Sequence, residues 1–140
     1  MKYKSLFISI GMLCLSLCVT SADAYTLYND PLQVQPYIEE PAKVIKAGMA
    51  QYQWQVETEE PGKIVALLDY KRHSLKVNVH YNADKIWLEP VSAVNNGPCK
   101  TSTCKLDTDS VERWHLGLYR GIAFALTKEA LRDATAKAYQ

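Results

Sequence analysis

Three histidines, a pair of cysteines late in the chain and two adjacent pairs of glutamates are the residues here whose chemistry goes beyond packing. His73 and His80 have opposite parity along one alternating stretch. A strand sends such residues to opposite faces, so the two cannot hold one ion together. His115 sits beside Trp114 in a helical stretch and has no cysteine or carboxylate at ligand spacing. No metal site follows from this pattern. Glu39-Glu40 and Glu59-Glu60 lie at a helix start and a turn, where adjacent carboxylates are ordinarily solvated charges. Nucleophile elbows, phosphate loops, zinc spacings and dinucleotide fingerprints are all missing from the sequence. No catalytic residue and no cofactor is assigned, which leans away from an enzyme. The aromatic residues Tyr52, Trp54, Tyr70, Tyr81, Trp87, Trp114 and Tyr119 offer a different chemistry, because ring faces can stack on a sugar or a peptide. At strand and helix spacing, such rings also serve as core.

Cys99 and Cys104 lie in a segment rich in turn residues, from Asn95 to Cys104. In an exported protein that arrangement suggests a disulfide pinning a loop, worth roughly 2 kcal/mol by chain entropy. A redox pair would more often be Cys-x-x-Cys at a helix start. Export itself is read from the first residues. Lys2 and Lys4 precede an uncharged apolar run from Leu6 to Val19, and Ser21-Ala22-Asp23-Ala24 places small residues where a signal peptidase reads them. The expected signal is residues 1–24, cleaved after Ala24, giving a periplasmic or secreted protein. The run is short for a membrane span, which needs about 20 residues, so no span is expected after cleavage. An uncleaved anchor is the competing reading. Lipid attachment at Cys18 is disfavoured because the large Leu17 precedes it. The whole chain has 16 basic and 15 acidic residues, and the leader takes Lys2, Lys4 and Asp23, leaving equal numbers of each sign. That balance argues against nucleic acid as a partner and gives no support to binding at anionic lipid.

The elements that must position these side chains follow from periodicity. Residues 25–36 have no clear period and read as an irregular arm, with residues 37–140 as one domain. Tyr37 to Ala50 carries Pro41 near its start, and Ile38, Ala42, Ile45 and Met49 fall at helical spacing, predicting a short helix. From Gln51 to Val56 apolar residues alternate with glutamine, as in a half-buried strand. Pro61-Gly62 turns the chain into a second strand, Lys63 to Tyr70. The third strand runs from His73 to Tyr81. Ile86-Trp87-Leu88 begins a fourth, which Pro90 should end early or place at an edge. Asp109-Ser110-Val111-Glu112 resembles a capping box ahead of a long helix from Ser110 to about Asp133. Gly117 and Gly121 lie within that helix, at a spacing that admits close approach by another backbone or a bulky sheet residue. The predicted fold is α+β: a four-stranded antiparallel meander with a short N-terminal helix and a long C-terminal helix on one face.

If Leu68, Leu75, Val79, Ile86 and Leu88 face the helices, then Val65, Leu67 and Trp87 face away with His80, which is apolar for a solvated surface. Either a protein partner in the cell envelope covers that face, or the stems of Lys76, Lys85 and Glu89 do. The first hairpin decides how large the face is. A three-residue loop, Glu60 to Gly62, turns Trp54 and Val56 to the core, whereas a four-residue loop sets them beside Val65 and Leu67.

The run of Trp54, Pro61-Gly62-x-Ile64-x-Ala66-x-Leu68, His73-x-Leu75-x-Val77-x-Val79-x-Tyr81, Trp114 and Leu118 resembles a group of small bacterial exported proteins, many of them lipoprotein-like. The likeness spans about residues 45–125 and rests on turn glycines, alternating strand residues and helix anchors. The group has no assigned activity, so the resemblance implies no functional residue. The chain departs from it at the Cys99–Cys104 loop, where members continue with a short polar-aromatic segment, and at the context of Cys18. These readings leave two functions: a non-enzymatic envelope module binding a protein through Val65, Leu67, Trp87 and His80, or a small-ligand protein or enzyme with a pocket between helices and sheet near His73, His115 and Tyr70.

Overall fold

The computed structural model describes residues 27–97 and 108–140. The predicted signal, Cys18, Cys99 and Cys104 lie outside the described residues. After a 3-10 turn at Leu27–Asn29 come β1 (Leu32–Gln33), α1 (Pro41–Gln51), β2 (Gln55–Glu60), β3 (Lys63–Tyr70), β4 (His73–Tyr81), β5 (Lys85–Asn95) and α2 (Thr108–Ala138). The strands form one antiparallel sheet of order β1-β5-β4-β3-β2. The predicted meander of four strands is therefore part of a sheet of five. The extra strand is two residues of the arm, Leu32 and Gln33, paired with Ile86 and Lys85. So short a piece between Pro31 and Pro36 has no alternation to detect. The arm also sends Val34 into the core.

Period 2 carries β3 and β4. Ile64, Ala66 and Leu68 on one, and Leu75, Val77 and Val79 on the other, are buried on the same face. With Ile86 they form one cluster with Val44, Ile45 and Met49 of α1 and Leu118, Ile122, Ala125 and Leu126 of α2. Each such side chain contributes roughly 1.5–3 kcal/mol on burial. The core thus lies between one sheet face and the two helices.

Several boundaries differ from expectation: α1 starts at Pro41 rather than Tyr37, and α2 runs on to Ala138 rather than ending near Asp133. The first strand begins at Gln55 rather than Gln51, because α1 continues through Gln51. β5 does not end at Pro90. It accommodates the proline opposite Val77 on its outer edge and continues to Asn95 after a register shift. Asp109 lies inside the first turn of α2, which has already begun at Thr108, so it is not the cap.

The hairpin register has a two-part solution. Glu60 pairs with Lys63, leaving the two-residue turn Pro61-Gly62, with Gly62 at φ 81°. That turn alone would place Val56 opposite Leu67, on the outer face. A bulge between Val56 and Thr58 restores Val56 to Ala66 and turns Trp54 into the core, where it is 4% exposed.

α1 and α2 cross backbone to backbone. A Cβ built on Gly121 would lie 2.4 Å from the Gly48 carbonyl oxygen, and one on Gly48 would lie 2.5 Å from the Ile122 Cα. Only glycine at both positions permits this approach.

Candidate functional site

Val65, Leu67, His80 and Trp87 do share the outer sheet face: Val65 is opposite Asn78, Leu67 opposite Lys76 and His80 opposite Trp87. All four are half-buried. Lys76 Nζ meets Glu57 at 2.8 Å across Leu67's neighbours. The His80 ring stacks on Trp87 at 5.2 Å and 14°, and Lys85 Nζ lies 5.3 Å from the Trp87 ring centre. Glu89 accepts from Asn78 Nδ2 at 3.0 Å and contacts His80 Nε2 at 2.6 Å. Those hydrogen bonds, His80's first, hold the Glu89 carboxyl below its ordinary range. Long polar side chains thus roof this face, and Trp54 adds nothing to it because it faces the core.

The histidines occupy three environments. His73 lies on the core side of β4 against Trp114, at a ring separation of 5.2 Å, with its Nδ1 buried and unpartnered. His115 is 4% exposed, meets Tyr28 edge-on at 5.2 Å, and has neither ring nitrogen hydrogen-bonded. Burial holds its imidazole below the ordinary histidine value. Of the trio His73, His115 and Tyr70, the fold brings His73 and Tyr70 together, as β-partners that both contact Trp114, while His115 packs with Tyr28 instead. Among the described residues no group of three or more histidines, cysteines or carboxylates is placed to hold a metal ion.

The geometry that stands out is beside Tyr70. Gln51, Tyr52, Gln53, Leu68, Tyr70 and Trp114 line an open recess of about 250 Å³ where α1 ends, α2 begins and β3 turns into β4. Its floor is Tyr52. The Cδ1 of that ring lies 3.0 Å from a Cβ built on Gly117, and Cδ2 lies 2.9 Å from one built on Gly121. The ring is therefore seated against the α2 backbone across both glycines, and is 44% exposed on its other side. Tyr70, 41% exposed, forms a wall with Trp114, their rings 6.3 Å apart at 62°. Lys71 Nζ sits 5.2 Å from the Tyr70 ring centre.

Two backbone positions frame the recess. Gln53 at φ 63° and Lys71 at φ 56° are the non-glycine residues with left-handed φ among those described. Such positions cost a non-glycine residue roughly 1–2 kcal/mol and gather at functional sites. Gln53 ends α1 in a Schellman arrangement, with Trp54 N–H donating to Met49 O at 3.1 Å and Gln53 N–H to Ala50 O at 3.3 Å. Glycine is the usual residue there; Gln53 takes the position instead and lines the recess.

Tyr52, Tyr70 and Trp114 were legible as candidate stacking aromatics. Gln51 and Gln53 were not, because both read as the wet face of a strand. A second groove of about 460 Å³ between α1 and the later turns of α2 mixes Glu39, Glu40, Lys43, Lys128, Glu129 and Arg132 and has no comparable order. Comparison with models of known protein families, with curated proteins and with solved structures found no match. No helix among the described residues is long and apolar enough to cross a membrane.

Proposed function

We propose that this chain is an exported cell-envelope protein that works by binding, and that its site is the recess of Tyr52, Tyr70 and Trp114. The observation that carries the reading is the seating of Tyr52. Two glycines of α2 let its ring pack close against the helix backbone and leave the side chain 44% exposed, so a ring face is already presented before any ligand arrives. Preorganisation of this kind is what makes a small contact area productive. The recess lining offers ring faces and amides, which suit recognition. It has no nucleophile paired with a base. The outer face of Val65, Leu67, Trp87 and His80 is the weaker surface, because polar side chains already cover its apolar atoms.

The test is a saturation-transfer NMR screen of small metabolites against the purified protein. Binders should lose their signal with Tyr52→Ala or Tyr70→Ala and keep it with Trp87→Asp. If Trp87→Asp and Val65→Asp abolish binding while the tyrosine variants do not, the site is the sheet face and this proposal is wrong. Circular dichroism on each variant separates loss of site from loss of fold.

A further inference from the structure

Resting on that reading of the recess, we infer that its ligand is a neutral saccharide, one ring of which stacks on Tyr52. Four features of the lining select this class. First, all six lining residues are uncharged. A buried or bound charge needs a partner, and none of the six lining side chains supplies one. Second, the Lys71 ammonium lies 5.2 Å from the Tyr70 ring centre and already occupies that ring's neighbourhood. A cation such as a quaternary amine would otherwise suit a site of two tyrosines and a tryptophan. Here it would meet a like charge on the ring it needs.

Third, Tyr70 and Trp114 meet at 62°. A polyproline ladder docks along an aromatic-lined groove, between rings standing side by side. A steeply angled pair makes a corner instead, which fits the end or edge of a compact ring. Fourth, Gln51 and Gln53 lie on either side of Tyr52 in sequence, and both line the recess. Each primary amide carries two donors and a carbonyl acceptor, matching hydroxyl groups that donate and accept in turn. A pyranose presents a C–H face to an aromatic ring and hydroxyls around its rim. Tyr52 and its two glutamines are the complement of that shape. The recess, at about 250 Å³, is smaller than the roughly 300–1,000 Å³ of pockets that enclose a whole drug-sized ligand. One sugar ring enters it, and the rest of an oligosaccharide stays in solvent.

The experiment titrates maltotetraose, cellotetraose and diacetylchitobiose into the purified full protein by calorimetry, with tryptophan fluorescence in parallel. A decaproline peptide and tetramethylammonium are run as rival ligands. At least one saccharide should bind with a Kd of roughly 0.1–1 mM, as expected for an open site contacting one ring. Tyr52→Ala should weaken it about tenfold or more, and Gln53→Leu several-fold, while Trp87→Asp leaves it within about twofold. If the saccharides fail while decaproline or tetramethylammonium binds in a Tyr52-dependent way, the sugar assignment is overturned and the recess stands as the site. If no probe of any class shows binding that depends on Tyr52, both the assignment and the site fail. Saccharide binding that survives Tyr52→Ala in a folded variant also overturns the inference.

Discussion

Gly121→Ala is the sharpest test of how this fold is held together. The new Cβ would stand 2.4 Å from the Gly48 carbonyl oxygen, and ordinary contact begins at 3.4 Å. The obstacle is backbone, so no side chain can swing aside, and α1 and α2 must part by about 1 Å at their crossing. That movement loosens Ile45 and Met49 against Leu118 and Ile122, all of them buried. Overpacking of this kind costs roughly 1–3 kcal/mol, and a backbone clash belongs at the upper end. Replacing a mid-helix glycine returns about 1 kcal/mol of helix propensity. The net loss should be about 2 kcal/mol, or roughly 6–12 °C in Tm for a domain of this size. Gly117→Ala is the internal control. Its Cβ would meet only the exposed Tyr52 ring, at 3.0 Å from Cδ1. The ring can lift, so propensity and crowding should nearly cancel. Gly48→Ala attacks the same gap from the other side, and the double variant should cost less than the two single losses together, because the helices separate only once. Urea and thermal melts followed by circular dichroism measure all four. If Gly121→Ala proves as stable as Gly117→Ala, within about 0.5 kcal/mol, the close crossing does not exist and the helix packing described here is wrong.

Two further outcomes are expected. Burial holds the His115 imidazole below its ordinary value, so below about pH 6.5 the unfolded chain takes up a proton that the folded chain refuses. Stability should fall with pH in that range, by at most about 1.4 kcal/mol per pH unit for this one group, and His115→Leu should flatten the slope between about pH 7 and 5. Urea melts at stepped pH measure it, and an unchanged slope in the variant would remove His115 as the cause. Gln53→Gly should relieve the left-handed strain at the end of α1 and raise stability by roughly 0.5–1 kcal/mol. The same change removes an amide from the recess, so ligand affinity should drop as Tm rises. A variant that gains stability and keeps full affinity would show that the glutamine is there for another reason.

Much of the scaffold could be read from single side chains and their spacing. Strict alternation in Ile64-x-Ala66-x-Leu68 and Leu75-x-Val77-x-Val79 named two strands and their buried face correctly, because a pleated strand facing a core leaves no other periodicity. The short α1 and long α2 followed from Pro41 and from the helical spacing of apolar residues. The candidate site was half visible: Tyr52, Tyr70 and Trp114 were marked as ring faces, and Val65, Leu67, His80 and Trp87 as one surface.

What sequence left open was decided by contacts between residues far apart in the chain. Loops of three or four residues gave opposite faces for Trp54; the turn has two residues instead, and the bulge between Val56 and Thr58 turns Trp54 to the core. A bulge is one extra residue whose placement depends on which pairing buries the most, and that sum is known only once α1 and α2 lie on the sheet. β1 exists only because Ile86 and Lys85 offer it an edge. Gly117 and Gly121 announced that something approaches α2 closely, but not that the approaching groups are Gly48 and the ring of Tyr52. Spacing along a chain fixes which side chains share a face. Only the packed helices and sheet determine that a glutamine takes a left-handed backbone, that an aromatic ring packs close against two glycines, and that the two together form a place to bind.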